Sequence, residues 1–252
     1  MSQFALYRDP VLLEPVKHRH LKMAKLTDHG MAAAMHASFL AVAEFTSAAR
    51  EFVIVFVRDT IEGKLQAEPI VLLGVAPGEN LYLDGTRWDA HYVPAFVRRY
   101  PFWLTTIEGV EAPVVMIDRA WPGFSETEGD PLYEDEGKPA PRLAEAIEFM
   151  EQFEIEVSRT LGFCARLTEL GLLREMSASV TLADGRQLAL DGLLTVDDAK
   201  LQALPDAQVL EMHRNGMLGL VHAHLLSLAN MQTLVERKGK RLQQGQQPAA
   251  QA

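Results

Sequence analysis

Cysteine and positive charge are both scarce in this chain of 252 residues. Cys164 is the only cysteine, which excludes an intramolecular disulfide and any zinc site built on paired cysteines. The 24 Lys and Arg residues are outnumbered by 34 Asp and Glu, and the net charge of -10 disfavours binding to nucleic acid or to an anionic membrane surface. We therefore expect no nucleic-acid partner.

Long hydrophobic runs are also missing. The most apolar stretch, residues 217–234, is interrupted by histidine and other polar side chains, so it falls short of the roughly twenty apolar residues of a membrane-spanning helix. The opening residues MSQFALYRDPVLLEPVKHRH lack the basic region, apolar core and cleavage site of a secretory signal. We predict a protein without a membrane span, with the cytoplasm as the default location.

The usual local signatures of catalysis and metal binding are absent as well. The sequence has no GxSxG, SxxK, Walker or GxGxxG motif, and Cys164 falls on an apolar helical seam where a thiol acts as a small hydrophobe. His222 and His224 are two positions apart on a predicted helix, so their side chains diverge, and nothing completes a site around His18 and His20. We predict no catalytic residue, no cofactor and no metal, and favour a protein that is not an enzyme.

The first half of the chain has the pattern of a sheet with short helices. Residues 51–59 and 69–75 are rich in β-branched and aromatic side chains, which predicts two strands joined by a hairpin connection at 61–68. Residues 112–118 are continuously apolar and predict a strand in an interior position. Good helix formers over residues 39–51 predict a short helix.

Composition changes at residues 121–140, where six acidic side chains are interspersed with glycine and proline. We predict a long acidic loop there. Apolar residues at steps of three and four then predict a long helix that includes Leu143 to Leu167. Alternating residues around Asp184-Gly185 predict a hairpin over 179–190, and the last apolar seam predicts a helix over 217–235.

Together these patterns predict the α+β class. The expected architecture is an antiparallel sheet with short helices in the N-terminal half, followed by a long helix, a β-hairpin and terminal helices in the C-terminal half. Asp197 or Asp198, and Asp206, are the expected N-caps of two short helices. The predicted segments are a β-sheet half at 1–120, the acidic connection at 121–140, a helical half at 141–237 that shares one core with the first, and a disordered tail at 238–252.

The segment WDAHYVPAFVRRYPF, residues 88–102, concentrates aromatic rings and two adjacent arginines. With Asp89 as N-cap, we predict a helix that ends at about Arg99, because the residue before Pro101 is pushed toward extended backbone. Arg98 and Arg99 would then lie in the last turn, where positive charge complements the helix dipole. A helical wheel places an apolar face in the core, made of Tyr92, Val93, Phe96, Val97 and Tyr100.

A binding role for this segment is the alternative interpretation. Arginine recognises carboxylates and phosphates bidentately, so Arg99 near Trp88 would clamp an anion. With the polar residues that edge the predicted sheet, the candidate ligand-binding set is Arg50, Trp88, Asp89 and Arg99.

Five blocks of this sequence, in this order, resemble the SapC family of bacterial proteins: EFTSAAREFVIVF (44–56), VLLGVAPGENLYLD (71–84), WDAHYVPAFVRRYPF (88–102), LYEDEGKPAP (132–141) and LVHAHLLSLANMQTL (220–234). The resemblance spans nearly the whole chain. It implies a link to a surface-layer locus and association with the cell surface, although no export signal is seen. Similar sequences also carry a peptide-permease label, which the lack of an apolar span contradicts.

Two kinds of function follow from this sequence, and behind them comes a third, a secreted component of the surface array that assembles into sheets. The first is a SapC-like, non-catalytic accessory or interaction protein linked to surface-layer biogenesis, with a protein partner or a homo-oligomer. The second is a small-molecule-binding protein or enzyme whose pocket lies near residues 88–102. A deep cleft that contains Arg99 or Arg50 together with a perturbed acid would favour the second.

Overall fold

The structure, a computed structural model, describes residues 6–61, 64–110, 112–181 and 187–246. The strands are β1 (Pro10–Leu12), β2 (Lys22–Met23), β3 (Ala37–Phe39), β4 (Val53–Ile61), β5 (Lys64–Leu72), β6 (Leu83–Asp84), β7 (Arg87–Trp88), β8 (Phe102–Thr105), β9 (Val114–Asp118), β10 (Phe124–Ser125), β11 (Asp130–Pro131), β12 (Leu173–Thr181) and β13 (Gln187–Val196). The α-helices are α1 (Phe45–Ala48), α2 (Ala95–Arg98), α3 (Pro141–Glu169), α4 (Asp198–Gln202), α5 (Asp206–Arg214), α6 (Met217–Ser227) and α7 (Met231–Gln246). The predicted α+β class is confirmed.

A five-stranded antiparallel sheet forms the centre of the fold, in the order β12-β13-β4-β5-β3. Its interior strand β4 is completely buried from Val53 to Phe56, as is Phe52 just before it, which is expected for a continuous β-branched and aromatic run. Leu193 and Leu194 of β13 pair with Val57 and Phe56. The sheet therefore contains strands from both sides of the acidic segment.

Helices cover this sheet through aromatic and aliphatic side chains. Phe163 of α3 lies 5.9 Å from the Phe45 ring of α1 and 6.4 Å from the Phe56 ring of β4, measured between ring centroids. Met217 and Val221 of α6 belong to the same buried cluster. The apolar seam of the long helix therefore faces the core, as its periodicity predicts.

A second core lies beside the first half of α3. The small sheet β1-β9-β8 has β9 in its interior position, as predicted for residues 112–118. Its rings pack against Leu143 and Met150 of α3. In the short sheet β10-β2-β11, the acidic segment supplies β10 and β11, and both strands pair with β2. The segment predicted as a loop therefore contains paired strands.

Several predicted boundaries are wrong. Most of the predicted hairpin connection at 61–68 is strand, because β5 begins at Lys64. The predicted helix over 217–235 is divided by a 3-10 turn at Leu228–Asn230, and α7 continues to Gln246 through the first part of the expected disordered tail. Asp197 caps α4 as predicted, whereas the N-cap of α5 is Pro205 rather than Asp206. The tip of the 179–190 hairpin, residues 182–186, lies outside the described residues.

Candidate functional site

A large cavity of about 660 Å³ lies between α3, α2 and one end of the central sheet. Ser38 and Phe39 of β3 and Glu68 of β5 form its sheet side, while the loop 31–36 adds another wall. Cavities of about 300–1,000 Å³ are the usual size for small-molecule sites. The wall on α3 consists of Phe153, Glu154, Val157 and Leu161.

Arg99 lines this cavity although it is only 4% exposed. Its Cζ lies 4.2 Å from the centroid of the Phe96 ring and 5.2 Å from that of Phe153. Its Nε and Nη2 atoms are buried and have no hydrogen-bond partner among the described residues. Since guanidinium groups remain charged in proteins, this side chain presents a positive charge and unmet donors at the cavity wall.

A short helix places Arg99 there, and it differs from the predicted one. The helix does not begin at Asp89: α2 covers Ala95–Arg98 and its N-cap is Pro94. Arg98 is exposed, as predicted for a last-turn arginine, but Arg99 turns inward. The helix begins only after Pro94, so Tyr92 and Val93 lie outside it and the wheel drawn from Asp89 does not apply to them.

Only some residues of the predicted apolar face are buried in the core. Val97 and Tyr100 are buried, while Tyr92 and Val93 precede the helix and are half-buried. Phe96 is also half-buried, and its ring lines the cavity under Arg99. Phe96 packs against two hydrophobic clusters, as predicted, and its other side lines the cavity.

Glu44 anchors the backbone that leads into α2. Its Oε1 accepts hydrogen bonds from Ala95 N at 2.7 Å and from the Tyr92 hydroxyl at 2.8 Å. Its Oε2 accepts from Ala41 N at 3.0 Å. Burial raises the pKa of Glu44, and these hydrogen bonds act in the opposite direction. The carboxyl group thereby fixes the start of the helix that carries Arg99.

Carboxyl groups line the same cavity. Burial raises the pKa of Glu68 to about 7, and the negative charge of Asp59 raises it further. Burial also raises the pKa of Glu154, while the positive charge of Arg99 acts to lower it. Arg99 and Glu154 therefore influence each other across the wall, and a perturbed acid accompanies the buried arginine as the binding hypothesis requires.

A smaller cleft of about 150 Å³ lies on another side of Arg99. Arg98 and Arg142 also line it, and Arg142 pairs with Glu145 at 3.4 Å. Arg98 makes its own contacts, since its Nε donates to the Val93 carbonyl at 3.0 Å. Arg99 thus separates two clefts, and among the arginines of the smaller one it is the side chain with unmet donors.

The other predicted ligand-binding residues lie outside the large cavity. Arg50 is exposed on the surface. The Trp88 indole donates to the Tyr92 carbonyl at 2.8 Å and is only 7% exposed, which is a packing role. The structure therefore does not bring Arg50, Trp88 and Asp89 together with Arg99 around one cavity.

Asp89 has a structural partner that sequence reasoning missed. Arg237 of α7 donates to Asp89 Oδ2 at 2.8 Å and to the Asp89 carbonyl at 2.9 Å. The guanidinium lies 4.4 Å from the Tyr82 ring centroid. This contact attaches the final helix to the loop at residue 89.

The two histidines of α6 have different environments. His222 is exposed, whereas His224 is completely buried. His224 Nε2 accepts from Val196 N at 3.1 Å and lies 3.0 Å from the Thr195 hydroxyl, while Nδ1 lies 3.0 Å from the Ile54 carbonyl. These contacts require a neutral ring with the proton on Nδ1. His224 therefore connects α6 to two strands of the central sheet. It lies inside the core, whereas the sequence predicted a position at the border of the helix packing.

The described ranges contain neither a candidate metal site nor a candidate membrane span. No group of three histidine, cysteine or carboxylate side chains there is arranged to hold a metal ion. None of the helices in that part of the chain has the length and apolar character needed to cross a membrane.

The fold and the cavity define an α+β protein with a buried arginine at a small-molecule-sized cavity. A model of the SapC family matches residues 13–234 of this chain. Because the match covers most of the sequence, the chain belongs to the SapC family, and the resemblance seen in the five sequence blocks is confirmed. None of the curated proteins and none of the solved structures matches the chain.

Proposed function

We propose that this SapC-family protein binds a small organic anion in the 660 Å³ cavity, with Arg99 as the group that holds the negative charge. The observation that carries the proposal is the pair of buried, unpartnered guanidinium nitrogens, Nε and Nη2. A buried donor without a partner costs about 1–3 kcal/mol. A carboxylate or phosphate oxygen supplies the missing acceptors and compensates the charge.

The proposal favours one of the two functions that the sequence suggests. The accessory role linked to the surface layer stays a prediction, since family membership alone supports it. The binding role has a specific support in Arg99 and its cavity. The proposal does not include Arg50, Trp88 and Asp89 as ligand-binding residues, because none of the three lines the cavity that contains Arg99.

Isothermal titration calorimetry and thermal shift with a panel of carboxylates, sugar phosphates and inorganic phosphate test the proposal. We expect binding by the wild type and a loss of about 10- to 100-fold in Arg99→Met, since a charge-assisted hydrogen bond contributes about 1.5–3 kcal/mol. Arg99→Lys should retain part of the affinity, because it keeps the charge but not the planar pair of donors.

Arg50→Met is the matched control, since it removes the same charge from an exposed position. We expect no change in its affinity. Equal losses in both variants would indicate a general effect of net charge and would refute the proposed role of Arg99. A panel without any binder would refute the function itself.

A further inference from the structure

The small cleft on the other side of Arg99 concentrates positive charge. Three arginines line it, namely Arg98, Arg99 and Arg142, and Glu145 supplies the carboxyl group among the lining residues. Guanidinium groups remain charged in proteins, so the cleft has three positive charges and at most one negative charge. This excess lies in a chain whose net charge is -10. A ligand that balances it needs more than one negative charge.

The first two turns of α3 form one wall of the small cleft. One face of the helix contributes Arg142, Glu145, Ala146 and Phe149 at helical spacing. Arg142 lies in the first turn, where the positive end of the helix dipole also favours an anion. Its guanidinium is partly exposed and lies 3.4 Å from Glu145, which is longer than the roughly 2.7–2.9 Å of a close ion pair. A phosphate oxygen can therefore replace this contact.

The end of α2 brings a second arginine to the cleft. Arg98 is the last residue of α2, and its Cζ lies 5.1 Å from the centroid of the Phe149 ring. Its Nε donates to the Val93 carbonyl at 3.0 Å, and its Nη2 donates to the Tyr92 hydroxyl at 3.3 Å. Both acceptors are uncharged, so neither contact is an ion pair.

Arg99 supplies the buried donors of the cleft. The side chain is only 4% exposed, and its Nε and Nη2 have no hydrogen-bond partner among the described residues. These two nitrogens form one edge of the planar guanidinium, and such an edge binds two oxygens of an anion at once. A buried, unpartnered edge of this kind points to a ligand that is bound in the functional state.

The size of the cleft limits what it holds. Its volume is about 150 Å³. At about 30 Å³ per water molecule this is room for roughly five waters, so a phosphate group with its four oxygens fits. The bulk of a larger molecule stays outside.

We infer that the small cleft is a second anion site of this protein, and that it binds a phosphate group through Arg98, Arg99 and Arg142. A phosphate group carries up to two negative charges, which balance the excess in the cleft. Its oxygens point in several directions, so they contact guanidinium groups that come from two helices and the residue between them. A carboxylate has one charge and two oxygens and leaves part of the cleft unmatched. The inference goes beyond the proposed function, because it concerns a different cavity that shares Arg99 with the first.

Isothermal titration calorimetry at pH 8 and low ionic strength tests the site with inorganic phosphate and with acetate. We expect phosphate to bind at least about tenfold more tightly than acetate, because it makes more charge-assisted hydrogen bonds. Glycerol 3-phosphate distinguishes the two sources of the group. Tighter binding of the ester than of inorganic phosphate would identify a phosphomonoester as the ligand, and the reverse order would identify free phosphate.

Arg142 is the residue to replace, since it lines the small cleft and not the large cavity. Arg142→Met should weaken phosphate binding at least about fivefold, and Arg142→Lys should retain part of the affinity because it keeps the charge. Arg159→Met is the matched control. Arg159 is an arginine of the same helix that pairs with Glu156 three positions away, as Arg142 does with Glu145, but it lines neither cavity. Its replacement should leave phosphate affinity unchanged.

A second variant separates the two cavities. Val157 lines the large cavity and not the small cleft, so Val157→Phe narrows the first and should leave phosphate affinity unchanged. Arg99→Met does not separate them, because Arg99 lines both.

The results distinguish this inference from the proposed function. Phosphate binding that is lost in Val157→Phe and unchanged in Arg142→Met would place the anion in the large cavity, which overturns the inference while the proposed function stands. Acetate binding as tight as that of phosphate would overturn the choice of a phosphate group. A wild type that does not bind phosphate would refute the second site, even where carboxylates bind in the large cavity. Phosphate binding that depends on Arg142, with no organic anion bound, would support the second site and refute the proposed function instead.

Discussion

Replacing Arg99 with methionine should make the ligand-free protein more stable. The guanidinium is 4% exposed and has two nitrogens without hydrogen-bond partners. Each unmet donor costs about 1–3 kcal/mol, whereas the contacts with the Phe96 and Phe153 rings contribute about 0.5–1 kcal/mol each. Methionine has a similar length and retains apolar packing against both rings. The net expectation is a gain of about 2 kcal/mol in the free energy of unfolding.

For a chain of this size, about 2 kcal/mol corresponds to a rise of roughly 4–8 °C in Tm. Differential scanning calorimetry and urea unfolding of the ligand-free protein measure this change. Arg98→Met is the matched control, since Arg98 is the exposed neighbour on the same helix. A drop of more than about 1 kcal/mol in Arg99→Met would show that the guanidinium is well satisfied without a ligand, which would remove the main support for the binding function.

Three further predictions concern other parts of the fold. Burial lowers the pKa of His224 to about 4, so the unfolded chain binds one more proton than the folded protein between about pH 6.5 and 4. The free energy of unfolding should therefore fall by roughly 3 kcal/mol as pH drops through that range. Urea unfolding of His224→Gln should show a weaker pH dependence than that of the wild type, and equal dependence would contradict the neutral buried ring. Arg237→Met should destabilise the protein by about 1–2 kcal/mol, because it removes the partly exposed ion pair with Asp89 and hydrogen bonds to carbonyl groups. Its anion affinity should equal that of the wild type, and calorimetry measures both quantities. A changed affinity would indicate that Asp89 belongs to the ligand-binding site. Cys164 is 1% exposed and burial raises its pKa to about 12, so Ellman's reagent should react with it only after unfolding, and rapid labelling of the native protein would refute its placement.

Periodic segments of the sequence were sufficient to predict much of the fold. The long helix α3 was recognisable because its apolar residues recur at helical spacing between entry prolines and an exit glycine. The hairpin of β12 and β13 was recognisable from its alternation. Both signals are local, so they do not depend on which distant residues pack against them. Helix breaks such as Leu228–Asn230 depend on tertiary contacts and left no comparable signal.

The candidate site depends on contacts between segments far apart in the chain. Arg99 was included in the predicted binding set from its residue type, but its burial was not predicted, since it results from Phe153 packing against it and from Glu44 fixing the start of α2. Glu68 was missed entirely. It sits in a stretch predicted to be a hairpin connection, and its raised pKa arises from burial that only the assembled sheet produces.

The comparison of Arg99 with Arg237 shows why the first is a candidate binding group and the second is not. Both guanidinium groups lie over an aromatic ring, Phe96 in one case and Tyr82 in the other. Both terminal nitrogens of Arg237 find acceptors in Asp89 and nearby backbone carbonyls, although its Nε has none. Arg99 is more deeply buried and lines the large cavity, and its Nε and Nη2 have no hydrogen-bond partner among the described residues. Substitution by methionine should therefore change stability in opposite directions at the two positions, and only the change at Arg99 should alter anion affinity.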